Sequence, residues 1–232
     1  MRFQLSRFSS ALIDLVLPPR CVACNTLVAR TQQAFCVICH QSLLENEDPC
    51  PRCALPDSGD DCASCRRQRL PFRSARSPLI YGGQLAEALY RLKYRDATEV
   101  SARLARFVTP DFIALAPEVD IALAVPLHRR RLRKRGYNQS ALLMRHVPGL
   151  PKVFGALRRV RATKAQADLP RQRRLENLRG AFVADEGRVS GRRVLLFDDV
   201  MTTGATVIAA SQALRTAGAL SVDVLTLARA VP

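Results

Sequence analysis

The sequence predicts an α/β protein in two parts: a small metal-binding module, then one larger domain built on a parallel sheet with helices on both faces. Two observations carry this. All eight cysteines fall between Cys21 and Cys65. From about Ser74 onward, short apolar strands alternate with helical stretches, as in successive βαβ units. The expected parts are residues 1–70, an N-terminal helix with a double zinc-finger-like module, and residues 74–232, the sheet domain. The 232 residues suffice for one large domain or two modest ones, and 48% hydrophobic with 24% charged residues excludes a wholly disordered chain.

Phe3, Leu5, Phe8, Leu12, Leu15 and Val16 suit one face of a short helix that Pro18 and Pro19 end. A packing helix and a membrane-surface helix both fit this pattern; the immediate prolines favour packing. Asp14 interrupts the apolar stretch and no small-x-small cleavage site precedes Cys21, so a signal peptide is not expected. No apolar run approaches the roughly 18 residues that cross a bilayer. The expected location is cytoplasmic, with no membrane span.

The cysteines form four C-x-x-C pairs: Cys21 and Cys24, Cys36 and Cys39, Cys50 and Cys53, Cys62 and Cys65. Two thiolates on one tight turn grip one metal ion, and a second pair completes a tetrahedral four-sulfur site. Disulfides are the competing reading, and a reducing compartment disfavours them. The segment is poor in large apolar residues, so structural Zn²⁺, two ions for eight sulfurs, is expected to supply much of its folding energy. Sequential pairing puts the first four cysteines on one ion and the last four on another; a cross-braced arrangement exchanges the second and third pairs. The spacing allows both. A thiol redox protein is a minor alternative.

Arg66 to Pro78 reads as a basic linker. Beyond it, strands are expected at Leu79–Tyr81, Ile121–Val125, Phe182–Val183, Val194–Phe197 and Val222–Leu227. Helices are expected at Leu85–Leu92, Val100–Val108, Ser140–His146 and Thr206–Ala217. Ligands of such sheets sit beyond the carboxyl ends of the strands.

One stretch there carries chemistry: Val194-Leu-Leu-Phe-Asp-Asp-Val-Met-Thr-Thr-Gly-Ala-Thr206. An apolar strand ends in Asp198 and Asp199, and a Thr- and Gly-rich turn leads into a helix. Backbone N–H groups with the hydroxyls of Thr202, Thr203 and Thr206 make an anion cradle at the helix start. Gly204 lets the backbone approach a phosphate. The two carboxylates would repel that phosphate, so they are expected to face sugar hydroxyls, directly or through a divalent cation. The stretch resembles the phosphoribosyl pyrophosphate (PRPP) signature of type I phosphoribosyltransferases at every position.

After Ile121–Val125 comes Pro126-Leu-His-Arg-Arg-Arg-Leu-Arg-Lys-Arg-Gly-Tyr-Asn-Gln139, read as a cationic loop suited to pyrophosphate or polynucleotide phosphates. Thr163 to Phe182 adds Gln166, Arg171, Arg173, Arg174, Asn177 and Arg179. Between His128 and Gly180 sixteen Lys and Arg face two acids, a net of +14, against +16 for the whole chain. This window flanks one site mouth or forms a nucleic-acid track. Lys93, in R-L-K-Y-R-D, is either ligand-facing or part of a solvated helix end.

The four cysteine pairs, the R-G-Y-N-Q block, the T-x-x-Q…N-L-R-G-A-F block and DDVMTTGAT together resemble the ComF/GntX-like family, competence protein F relatives named for DNA uptake. The resemblance spans about Leu17 to Ala228. It implies a zinc-binding module joined to a type I phosphoribosyltransferase-like domain. It further implies that Asp198 and Asp199 contact the ribose hydroxyls of PRPP and its Mg²⁺. Thr202, Thr203, Gly204, Ala205 and Thr206 would then hold the 5′-phosphate, with Leu127, His128, Arg129, Arg130 and Arg131 near the pyrophosphate. Gln166 to Asn177 would match the loop that closes over such sites. The implied chemistry is displacement of pyrophosphate from the anomeric carbon. The zinc module would serve as a partner-docking surface. The competing function is single-stranded DNA binding along the basic surface, which is short of stacking partners: only Tyr137 and Phe154 lie between His128 and Gly180.

Overall fold

The computed structural model describes residues 18–29, 33–58, 60, 62–149, 151–162 and 177–231. The N-terminal helix expected before Pro18, and Gln166, Arg171, Arg173 and Arg174 of the basic segment, lie outside the described residues. Two short helices belong to the cysteine module, α1 (Val37–Gln41) and α2 (Ala63–Arg66). The remainder runs β1 (Ser74–Arg76), β2 (Leu79–Ile80), α3 (Gly83–Tyr94), α4 (Val100–Leu115), β3 (Ile121–Ala124), α5 (Arg129–Arg135) and α6 (Gln139–Arg145). It continues with β4 (Leu157–Arg159), β5 (Phe182–Ala184), α7 (Glu186–Val189), β6 (Arg193–Met201), α8 (Ala205–Thr216) and β7 (Ser221–Arg229).

The main sheet is parallel, in the order β1–β7–β6–β3, with β2 also on β7. Strand alternation sends Leu195, Phe197, Leu225 and Leu227 to one face, where α3, α4 and α6 cover them. Val194, Leu196, Val222 and Val224 go to the other, under α8. The sheet is therefore buried on both faces, as the continuous apolar strands require.

Four local expectations change. The stretch read as a linker contains β1, an edge strand too short to show a period. It is held by charge: Asp223 of β7 is fully buried and takes Arg73 Nε at 3.0 Å, Arg73 Nη2 at 2.8 Å and the Ser74 hydroxyl at 2.6 Å. Phe182–Ala184 does not join the parallel sheet but pairs antiparallel with β4, a strand the sequence reading missed. Helix α4 continues through Pro110 to Leu115, because its buried face, including Val108, Phe112 and Leu115, outweighs one lost backbone bond. Strand β6 runs through the two aspartates to Met201, since β7 pairs with it as far as Arg229.

The cationic stretch is also a helix rather than a loop. His128 caps α5, its Nδ1 accepting from the Arg130 amide at 3.3 Å, and Gly136 ends it at a φ of 83°, where a side chain would be strained. Arg133, Lys134 and Arg135 crowd its carboxyl end, where cations suit the helix dipole. Asn138 then caps α6 by accepting from the amides of Ser140 (3.0 Å) and Ala141 (3.4 Å). Its own amide donates to Val125 O at 2.9 Å, fixing α6 to the end of β3.

The two halves of the cysteine module pack on opposite faces of the sheet domain. Cys21, Cys39 and Phe35 share a core with α3 and α4, and Phe35 meets Phe107 edge-on at 5.8 Å. Cys50, Cys53, Cys62 and Cys65 share the core beneath α8, with Phe72, Met201 and Ala205.

Candidate functional site

The carboxyl ends of β3 and β6, with the start of α8, surround a cleft of about 250 Å³. Asp198 and Asp199 form its floor, 8% and 5% exposed. Two carboxylates this deep need partners, and the chain supplies them from two helices. The Ser140 hydroxyl donates to Asp198 Oδ1 at 2.8 Å, as does the Asp199 amide at 2.9 Å. Gln139 Nε2 donates to Asp199 Oδ1 at 3.4 Å, and Lys93 forms an ion pair with Asp199 Oδ2. Arg135 donates to Gln139 Oε1 at 2.6 Å, extending the network to the rim.

The partners set the charges apart. Burial and the neighbouring Asp199 push Asp198 well above the usual carboxylate range. Asp199 is equally desolvated, but the Lys93 ammonium outweighs this and holds it below that range. Burial works against the Lys93 charge, and Asp199 more than offsets it, so Lys93 stays raised. One carboxylate is thus firmly ionised beside another that resists ionisation.

The rim is cationic. Arg131 and Arg135 of α5 and Arg159 of β4 line the cleft. Arg159 is lowered by burial and by the nearby Arg131, a crowding of like charge that an anion would relieve. Leu127 also lines the cleft. His128, Arg129 and Arg130 do not; they form the cap and first turn of α5.

Thr202 and Thr206 face the cleft, whereas Thr203 and Gly204 turn toward the second cysteine cluster. Gly204 has a φ of 79°, so its freedom is needed to turn the chain from β6 into α8. The Ala205 amide donates to the Thr203 hydroxyl at 3.4 Å.

Lys93 is therefore cleft-facing, one of the two readings its sequence context allowed. Gln139 and Ser140 went unnoticed as site residues, although the asparagine before them is a readable helix cap. Tyr81 and Tyr94 also reach the cleft. Tyr94 is 63% exposed, stacks near Tyr90 at 5.1 Å and lies under the Arg135 guanidinium at 5.1 Å. The basic helix thus has aromatic neighbours from a segment forty residues earlier in the chain.

The cysteines pair sequentially, not cross-braced: Cys21, Cys24, Cys36 and Cys39 form one cluster, Cys50, Cys53, Cys62 and Cys65 the other, with all sulfurs of a cluster within 4.8 Å. All eight are free thiols. Four sulfurs about 2.3 Å from a tetrahedral zinc lie about 3.8 Å apart; Cys24–Cys36, Cys50–Cys65 and Cys53–Cys62 are each at 3.7 Å. Both clusters fit structural zinc. Each also holds a thiol ready to ionise near neutral pH. Hydrogen bonds with Thr26 pull Cys24 down to about 6, and backbone amides outweigh burial to bring Cys62 to about 7. His40 packs near Phe107 and is not in either cluster.

A double zinc ribbon domain matches residues 12–69, and a phosphoribosyl transferase domain matches residues 115–230. Parallel sheet, cleft and ribbons together define a phosphoribosyltransferase-domain protein carrying a double zinc ribbon. DNA utilization protein YhgH of Salmonella typhimurium is 32% identical over 225 residues, covering 93% of this chain and 99% of that protein. The Escherichia coli protein of that name is 30% identical over the same length. Competence protein F of Haemophilus influenzae is 28% identical over 228 residues, 91% of this chain and 97% of its own. The chain belongs to the ComF/GntX-like family.

Proposed function

We propose that the cleft binds PRPP, or a closely related phosphorylated ribose. The observation that carries this is the pair of buried carboxylates, held by Ser140, Gln139 and Lys93 directly ahead of the Thr202–Thr206 turn, beneath an arginine rim. Such a floor suits sugar hydroxyls, the turn suits a 5′-phosphate, and the rim suits a pyrophosphate. In this reading Asp199, kept ionised by Lys93, accepts from a ribose hydroxyl, while Asp198 is held in place by Ser140. Adjacent carboxylates are hard oxygen donors of the kind magnesium takes one or two at a time. Magnesium arriving with the ligand would supply charge neutralisation at the pyrophosphate.

A transfer reaction here would form a bond from an acceptor nucleophile to the anomeric carbon and break the bond from that carbon to pyrophosphate. Arg131 and Arg135 would stabilise the charge that develops on the departing group. Whatever the acceptor, the ribbons would brace the domain, and exposed Val37 and Ile38 on α1 offer a protein partner an apolar contact.

The names of the relatives point to DNA handling, and one observation favours a second reading in that direction. The exposed Arg129, Arg130, Arg133 and Lys134 lie on the same helix as Arg135, which stacks on Tyr94. Phosphates could follow the helix while bases stack on the tyrosines. The two readings separate by mutation. Asp199→Ala is expected to weaken PRPP binding at least a hundredfold while leaving oligo(dT) affinity within twofold. Arg130→Glu/Arg133→Glu is expected to weaken oligo(dT) binding at least tenfold and flatten its salt dependence, measured by fluorescence anisotropy. PRPP affinity unchanged in Asp199→Ala would refute the first reading; an unchanged salt slope in the arginine variant would refute the second.

A further inference from the structure

We infer that Arg229 is a positioning residue that ties the entry of the Thr202–Thr206 turn to the second zinc ribbon, making the order of that turn depend on the second ribbon rather than the first. The inference rests on the phosphoribosyl reading only for what the turn binds.

Arg229 ends β7 opposite Met201, the last residue of β6. It is 4% exposed, an unusual depth for an arginine. Its Nε donates to the Cys53 carbonyl at 3.2 Å. Its Nη1 donates to the carbonyls of Met201 (2.8 Å) and Ala230 (2.8 Å), and to that of Thr202. Met201 and Thr202 are the residues through which the chain enters the turn, and Cys53 is a sulfur ligand of the second cluster. One rigid, planar guanidinium therefore bonds to the ribbon through one nitrogen and to the turn through another. Lysine has no such fork. Met201 would keep its bond from the Ala230 amide, but the Cys53 and Thr202 carbonyls would lose the donor that joins ribbon to turn, so the turn would have to shift or admit water.

The side chains agree with the backbone. Cys53, Cys65, Met201, Thr203 and Gly204 line a shared cavity of only about 20 Å³. The first ribbon is anchored elsewhere: Arg91 donates to the carbonyls of Cys21 and Val22, and Arg103 to those of Arg20 and Gln33, all on the α3–α4 side. The two ribbons thus have separate duties. The first secures the helical layer, and the second supports the floor of the phosphate turn.

The test compares Arg229→Met with Arg103→Met in zinc-loaded protein. Hydrogen exchange of the amides of residues 201–206 reads the order of the turn directly, and calorimetry reads PRPP affinity. In Arg229→Met, exchange is expected to quicken at least tenfold and affinity to fall at least tenfold; Arg103→Met should change neither by more than twofold. Should Arg229→Met not fold, Arg229→Lys carries the test, because one ammonium replaces two bonding nitrogens and the same two shifts are expected. Unchanged exchange at residues 201–206 in the Arg229 variants would overturn the assignment. If wild type gives no heat with PRPP but exchange still responds to Arg229→Met, the phosphoribosyl reading falls and the positioning role stands.

Discussion

Removing zinc is expected to unfold this protein rather than merely loosen its N-terminus. The purified chain should carry two ions, one for each cluster of four sulfurs. Structural zinc contributes on the order of 10 kcal/mol or more per site, comparable to the roughly 5–15 kcal/mol that stabilise an ordinary domain. The loss would not stay local, because each ribbon covers part of a face of the sheet domain. Phe35 would leave Phe107, and the cluster around Phe72 and Met201 would open. A strong chelator under reducing conditions should therefore lower Tm by at least about 10 °C, since 1 kcal/mol moves Tm about 2–4 °C at this size. Circular dichroism checks this, with metal content measured on the same samples. A zinc-free protein that melts where the loaded one does would show the sheet domain to be self-sufficient. Disulfides in protein purified under air exclusion would revive the redox reading.

The second large effect is a gain of stability bought with function. Asp198→Asn keeps the oxygen that accepts from Ser140 and from the Asp199 amide. It removes a carboxylate whose ionisation both burial and Asp199 oppose. The sign follows from linkage. A carboxyl raised above its unfolded value of about 3.9 costs nothing at lower pH, where it is protonated in both states. Its cost to stability grows as pH rises from that value toward the folded one. The variant should therefore be more stable than wild type at pH 8, on the order of 1 kcal/mol, or about 2–4 °C in Tm. The advantage should shrink toward pH 4. PRPP affinity should meanwhile fall at least tenfold. Lower stability at pH 8 would show that Asp198 has a structural duty the network does not reveal.

What the sequence made legible, and what it hid, follows from the range over which each feature is specified. The zinc ligands and the Asp198–Thr206 stretch are local patterns: residue type and spacing within a few positions carry the chemistry. The buried strands were legible for the same reason, being short apolar runs between turn residues. The pairing of the cysteine pairs was not, because loops of these lengths close either way and packing on opposite sheet faces decides. Strand β1 escaped because its support is Asp223, about 150 residues away in the chain. Six cations within seven residues suggested a phosphate-binding loop, whereas a histidine cap and a left-handed glycine make a helix of them. The sequence context of Lys93 left two readings open, and its ion pair with Asp199 decides between them; Gln139 and Arg229 matter only through tertiary contacts with Asp199, Met201 and Thr202, so no spacing rule could assign them.

The most direct measurement is a calorimetric titration of PRPP with magnesium into zinc-loaded wild type and into Asp198→Ala/Asp199→Ala, a method suited to a chain without tryptophan. Saturable heat from wild type, and none from a folded double variant, is the predicted result. Equal heat from both, or none from intact wild type, would contradict the account. In the second case the cleft would be a retained scaffold, and the basic helix with its tyrosines would become the functional surface.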